Sequence, residues 1–159
     1  MKIRSSALGF TLMELILVMV LLSILSLFAA SRFMGSGSFS AYALQERVIS
    51  VIRQVQVNRM QSNVATPDDN FRLKVSDSCI GSVAACALTG TAQGTRSDVV
   101  IDKSAKFSFI SGAGSTINFN LLGNPVSGAV NILIEDKQGQ SRCQVEINTQ
   151  GYVSKGTCS

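Results

Sequence analysis

One carboxylate, Glu14, stands near the start of an otherwise uncharged apolar run, four residues after Phe10. From Phe10 to Ala30 the polar side chains are Thr11, Glu14, Ser23 and Ser26. An acidic group in such a run costs about 3 kcal/mol at the centre of a membrane helix and less near its end, so it marks a function and needs a partner. Hydrolysis of the peptide bond between Gly9 and Phe10 would create one. The new α-amino group of Phe10 would lie one helical turn from Glu14, or be offered by a neighbouring subunit.

The other chemically capable groups are Cys79, Cys86, Cys143 and Cys158, all beyond the apolar run. None is in C-x-x-C spacing and the chain has no His, so a zinc site is not expected. In an exported domain an even count reads as disulfides. Three connectivities are possible. Cys79 with Cys86 and Cys143 with Cys158 are closest in sequence and are favoured over the others and over free buried thiols. Closing those loops is worth roughly 2.5 and about 3 kcal/mol.

Enzyme chemistry finds little support. Without His the usual general acid–base group is missing. Asp68-Asp69 and Glu135-Asp136 are adjacent pairs read as solvated turn charges, splayed apart rather than converging on a substrate. Gly112-Ala113-Gly114-Ser115 lacks the Lys of a phosphate loop. No catalytic residue, cofactor, metal or small-molecule substrate is expected.

Several elements must position these groups. The apolar run, residues 10–30, would make roughly 32 Å of helix at ~1.5 Å per residue, enough to cross bilayer hydrocarbon. Lys2 and Arg4 precede it, which places the leader in the cytoplasm and the rest on the far side. A cleaved secretory signal or plain anchor is the competing reading, given Leu27-Phe28-Ala29-Ala30-Ser31 at the far end. Gly35-Ser36-Gly37-Ser38 then predicts a kink, or a linker that ends the helix.

Helical periodicity resumes from Ser40, with Ala41, Leu44, Val48, Ile52 and Val55 on one stripe and Glu46, Arg47, Arg53 and Arg59 mostly off it. The helix should stop near Ser62-Asn63, before the turn Thr66-Pro67-Asp68-Asp69. Strands are expected at 71–75, 99–101, 107–110, 117–119, 132–134 and 143–147. Turns at 112–115, 123–125, 136–139 and 148–151 separate the later ones, and such short gaps imply antiparallel pairing. Residues 79–97 read as a variable loop pinned by a disulfide. No internal repeat is visible. The expected class is α+β, one long N-terminal helix packed on an antiparallel β-sheet.

Gly9 followed by Phe10-Thr11-Leu12-Met13-Glu14-Leu15 resembles the class III signal of type IV pilins and type II secretion pseudopilins. The resemblance implies that a prepilin peptidase cuts after Gly9, that Phe10 is then N-methylated, and that Glu14 registers the subunit in a helical filament. Ser31 stands where many members carry Pro, and it keeps the backbone N–H that Pro lacks. On this reading residues 1–9 are the leader, 10–30 the transmembrane and assembly helix, 31–63 an amphipathic stalk helix with a Gly/Ser kink, and 64–159 a periplasmic β domain. Implied partners are other pilin subunits, the prepilin peptidase, an inner-membrane assembly platform and, before assembly, the membrane itself.

A second resemblance covers the C-terminal third. Phe119-Asn120-Leu121-Leu122-Gly123-Asn124-Pro125 and Ile147-Asn148-Thr149-Gln150-Gly151-Tyr152-Val153 look like the β region of pseudopilin H-like minor pilins. With the helix ending Arg53-Gln54-Val55-Gln56-Val57-Asn58-Arg59-Met60, they resemble a minor pilin of the mannose-sensitive haemagglutinin pilus system. The expected function is therefore a minor pilin of a type IV pilus, with a secretion-filament tip pseudopilin as the alternative. Nucleic acid is not an expected partner. Removing Lys2 and Arg4 takes Lys+Arg from 14 to 12 against 10 Asp+Glu, a net +2. Where DNA-capturing relatives carry a Gly-Arg-x-Arg segment, this chain has Gly151-Tyr152-Val153-Ser154-Lys155-Gly156. Arg47, Arg53, Arg59 and Arg142 could form a basic patch, and solubility or subunit contacts are the simpler use for them.

Overall fold

The computed structural model describes the backbone of residues 11–33, 36–110 and 114–159, and the side chains of 11–26, 41–110 and 114–159. The chain divides into two compact units, Met1–Ser36 and Gly37–Ser159. The first holds helix α1 (Leu12–Phe33), whose described apolar side chains are 44–78% exposed. Among the described residues no helix is long and apolar enough to cross a membrane. The side chains described in α1 run from 12 to 26, short of the ~20 residues a span requires.

Helix α2 (Ser36–Gln61) belongs to the second unit from Gly37 onward. Ser36, Gly37 and Ser38 are helical, while Gly35 lies outside the described residues, so the expected break does not extend through the Gly/Ser segment. The predicted stripe Ala41, Leu44, Val48, Ile52 and Val55 is fully buried. It packs into one core with the inner faces of two four-stranded antiparallel sheets.

The first sheet has the order β3-β2-β1-β5, from β1 (Arg72–Ser76), β2 (Cys79–Ser82), β3 (Val99–Ile101) and β5 (Thr116–Asn118). The second has the order β4-β6-β7-β8, from β4 (Ala105–Phe109), β6 (Val130–Asp136), β7 (Arg142–Ile147) and β8 (Val153–Cys158). Alternation of buried and less buried residues along β6 follows the pleat, with Val130, Ile132 and Ile134 inward. The sheets are tied by Phe107 N–H of β4 donating to the Asp77 carbonyl between β1 and β2 at 3.1 Å, while Asp102 N–H donating to the Ser78 carbonyl, also 3.1 Å, prolongs the pairing of β3 with β2.

Two expectations need correction. Residues 79–97 are not one loop, because Cys79–Ser82 is an interior strand, buried at all four positions, with the short helices α3 (Val83–Ala87) and α4 (Thr91–Gly94) following. Gly81 permits this, since a Cβ there would lie 2.4 Å from the Asp98 carbonyl oxygen. Nor do successive strands always pair. β5 leaves the second sheet to join β1, and β4 pairs with β6. Single turns signal antiparallel direction but not which sheet a strand enters.

Both favoured disulfides are present. Cys79–Cys86 ties β2 to α3, and Cys143–Cys158 bridges directly paired residues of β7 and β8.

The seating of α2 depends as much on amides and guanidiniums as on its stripe. A bulge between Cys143 and Val145 disturbs the ladder between β7 and β8. Gln45 Nε2 donates to the carbonyls of Gln144 (2.7 Å) and Gly156 (3.2 Å) at that point. Arg53 Nη2 donates to the Val153 carbonyl at 2.9 Å. Together they satisfy carbonyls of the edge strand β8, which would otherwise be left unpaired. Arg59, expected off the buried face, is buried and donates to the Phe119, Val64 and Ala65 carbonyls and the Ser62 hydroxyl. Its alkyl stem and many donors let it close the helix end against the domain.

Beyond β5 and β7 the chain makes the same turn twice. In each, an Asn side-chain oxygen accepts from the N–H groups two and four residues on: Asn120 from Leu122 and Asn124, Asn148 from Gln150 and Tyr152, at 2.8–3.0 Å. In each, a Gly three residues after the Asn takes positive φ, 82° at Gly123 and 79° at Gly151. This N-x-x-G repeat is a recurrence that whole-element periodicity does not reveal. Gln56, buried on α2, donates Nε2 to the carbonyls of both Gly123 (2.9 Å) and Gly151 (2.8 Å).

Replacing Gln56 with Ala should orphan those carbonyls and cost about 1–3 kcal/mol. Urea unfolding of the detergent-solubilised chain should show a lower midpoint with unchanged slope. The exposed Gln54→Ala change is expected to stay within about 0.5 kcal/mol of wild type.

Candidate functional site

The N-terminal segment builds from Thr11. Its hydroxyl oxygen accepts from the Glu14 N–H at 3.3 Å, and its carbonyl accepts from Glu14 and Leu15 at 3.1 and 3.2 Å. Thr11 is thus the N-cap of α1, and Thr11-Leu12-Met13-Glu14 has the spacing of a capping box. Glu14 lies in the first helical turn, where a carboxylate is favoured by the helix dipole, and its side chain is exposed. Gly9 and Phe10 lie outside the described residues. Downstream, Ser23 and Ser26 donate to the carbonyls of Val20 and Leu22, both at 2.7 Å, and so satisfy their hydroxyls within the helix. The described side chains after Glu14, up to Ser26, are uncharged.

The other expected site residues fall in the second unit, with the cysteines spent on the two disulfides. Among the described residues no group of three or more His, Cys, Asp or Glu could hold a metal ion. Asp69 pairs with Arg72, and Asp68 Oδ1 accepts from the Asn70 N–H at 2.7 Å. Glu135 and Asp136 are not turn charges, because both belong to β6. Asp136 points to its buried side, while Glu135 lies 3.8 Å from Arg142. Pairing of Glu135 with Arg142 and of Asp136 with Ala105 keeps both in the strand, which ends at Asp136 where the turn of 136–139 begins.

The four arginines do not form a basic patch. Arg59 is buried, Arg53 is bound to β8 and Arg142 faces Glu135. Arg47 instead lines an open depression of about 290 Å³ with Arg96, Ser97 and Val99.

Sequence reading missed the polar cluster around Asp98. Arg96 donates from Nε and Nη2 to both Asp98 carboxylate oxygens, at 2.8 and 2.7 Å. Ser82, whose hydroxyl oxygen caps α3 by accepting from Ala85 N–H at 3.1 Å, adjoins the pair. The Asp98 carbonyl accepts from Ser82 N–H at 3.0 Å. Burial pushes the Asp98 carboxyl up. The Arg96 and Ser82 hydrogen bonds and the Arg96 charge outweigh that and hold it below the usual carboxylate range. The Arg96 guanidinium is raised in turn, first by its hydrogen bonds to Asp98. Arg96 Nη2 also reaches Asn70 Oδ1 at 3.3 Å, and the cluster latches the segment around α4 to β2. An Arg-x-Asp spacing was its one sequence signal.

Comparison with known proteins returns to the first unit. Residues 4–30 match the family model for the prokaryotic N-terminal methylation motif. The match supports a type IV pilin-like class III signal, the signal of a pilin- or pseudopilin-type precursor anchored in a membrane. No curated protein and no solved structure matches the chain. Its helices and antiparallel sheets are consistent with a pilin-like fold.

The Asp98 latch has a defined pH signature. Its folded-state pKa is depressed, so its stabilisation is present above the unfolded value of about 3.9 and is lost as pH falls through the folded value. Asp98→Asn should cost about 1–3 kcal/mol at pH 7. The gap to wild type should narrow as pH falls below the unfolded value and through the depressed folded value, in denaturation followed across pH.

Proposed function

We propose that this protein is a minor pilin of a type IV pilus, a structural subunit and not an enzyme. The observation that carries the reading is the methylation-motif match over residues 4–30, at the head of a helix in which Glu14 is the one charge among the described side chains. The precursor inserts with Lys2 and Arg4 in the cytoplasm, spans the inner membrane through residues 10–30 and leaves the β domain in the periplasm. Prepilin peptidase adds water across the peptide bond between Gly9 and Phe10. Gly9 keeps the carboxylate, and Phe10 gains an amine that is then N-methylated.

An assembly platform moves the subunit into the filament, where apolar helices exchange lipid contacts for contacts with one another. Cleavage leaves Thr11 as the second residue of the mature chain, so the N-cap survives processing and α1 can begin at once. Glu14 then pairs with the Phe10 amine of an adjacent subunit, and wrong registers are resisted because they strand a charge in an apolar core. The C-terminal resemblance supports the pseudopilin H-like grouping. Its two quoted segments form a single feature, the paired turns held by Gln56.

Mass spectrometry of the N-terminus, on protein recovered from membranes of its native cell, is the direct test. A chain beginning at N-methyl-Phe10 is expected. One beginning after Ala30, or still at Met1, would sink the reading. A bulky residue at Gly9 should leave the leader attached, whereas Glu14→Ala should be processed normally yet incorporated poorly. Wild-type incorporation of that variant would remove Glu14 from the mechanism.

A further inference from the structure

Strands β3, β5, β4 and β8 form the edges of the two sheets, and on three of them outward backbone groups are in use. Carbonyls of β8 take the α2 donors Gln45 and Arg53, Phe107 N–H of β4 donates to Asp77, and the Asn118 carbonyl of β5 accepts from Val126 N–H. The edge of β3 differs. Ser82 N–H donates to the Asp98 carbonyl and Asp102 N–H to that of Ser78, which continues the register of β2 with β3 at both ends. Hydrogen-bonded pairs alternate along an antiparallel ladder, so Val100 bonds to Ile80. The N–H and C=O groups of Val99 and Ile101 then point away from β2. A Gly81 Cβ would lie 2.7 Å from the Val99 Cα, as the close, non-hydrogen-bonded kind of pair requires. Among the described residues nothing donates to or accepts from these outward groups.

A free strand edge is a template for another chain unless it is covered or blunted. Here the cover is incomplete. An open depression of about 290 Å³ adjoins the edge, lined by Arg96 and Val99 on one side and by Arg47, Ser50 and Val51 of α2 on the other. Segment 96–103 carries Arg96, Asp98, Asp102 and Lys103, and Arg47 faces the same depression, so three cations stand against two carboxylates. Both carboxylates are engaged: Asp98 with Arg96, and Asp102 Oδ1 with the N–H and hydroxyl of Ser104. Arg47 lies close enough to Asp102 to act on it as a charge, yet it is exposed and makes no hydrogen bond among the described residues. A second copy of β3 fits poorly. Pairing Val99 with Ile101 of the copy sets Asp98 opposite Asp102, and like charges directly opposite destabilise a ladder.

We infer that the edge of β3 receives an extended, acidic segment of another protein as an added strand, its backbone bonded to Val99 and Ile101 and a carboxylate meeting Arg47. This edge lies wholly in the second unit and does not depend on processing at Gly9, so it and the pilin reading fail separately.

The probe is the capped peptide Thr-Glu-Val-Glu-Val-Glu-Thr, added to the detergent-solubilised full chain and followed by residue-resolved amide exchange. Without it, the Val99 and Ile101 amides should exchange fast and that of Val100 slowly. With saturating probe, exchange at Val99 and Ile101 should slow by about tenfold or more. The peptide with Gln in place of Glu should bind about fivefold more weakly, as should the probe to the Arg47→Glu variant. Ile101→Pro removes an outward N–H without touching a bond to β2. It should abolish probe-dependent protection at Val99 while Ile80 and Val100 stay protected.

Val99 and Ile101 amides that are slow in dilute protein, or still fast at millimolar probe, would overturn the inference. So would equal binding of the Gln peptide, or protection at Val99 that persists in folded Ile101→Pro protein. Protection that grows with protein concentration alone would make a second copy the occupant and overturn it too. If Ile101→Pro does not fold, the Arg47→Glu affinity decides, and an unchanged value overturns the inference.

Discussion

Everything in the second unit depends on how α2 meets the open side of β8. An edge strand presents unpaired carbonyls, and a bulge in its ladder adds more. Gln45, Arg53 and Gln56 lie along the helix so that their donors reach Gln144, Gly156, Val153, Gly123 and Gly151. Apolar burial alone would leave the helix free to slide by a turn. Directional bonds at these points set its register, and Arg59 closes the far end.

That register decides what surface the domain shows. Because Gln56 reaches two turns at once, the C-terminal end of α2 and the turns after β5 and β7 form a rigid unit. Glycines at 123 and 151 let the backbones approach more closely than a side chain would allow. At the opposite end of the chain, Thr11 caps α1 and sets the position of Glu14 in its first turn. One segment thus carries the charge and the other the shape.

Much of this was legible in the sequence, for physical reasons. Val48, Ile52 and Val55 repeat at the helical period, and β6 alternates cleanly, because each has one face in water and one in the core. The nearest cysteines pair because the chain between them turns back locally. What escaped was set by partners distant in sequence. Cys79 to Ser82 reads as loop because a strand covered on both sides needs no alternation, and Gly81 looks like flexibility when it makes room for Asp98. Gln45, Gln56 and Arg59 look like solvent-facing residues, since a polar side chain does not announce that a carbonyl waits for it. In the N-terminal segment the motif was plain, and its confirmation came from the family match over residues 4–30.

The disulfides have a further consequence for how the domain matures. Their partners are 7 and 15 residues apart, whereas a bond from Cys86 to Cys143 would close a loop of more than 50 residues. Loop closure costs about 0.6 kcal/mol per doubling of length, so chain entropy alone favours the native pairs. As the chain emerges from its N-terminal side, each pair can be closed by an external two-electron thiol oxidant as soon as its second thiol appears. Correct pairing is therefore available before β8 finds its place, and the last bond to form fastens the C-terminal strand to its neighbour.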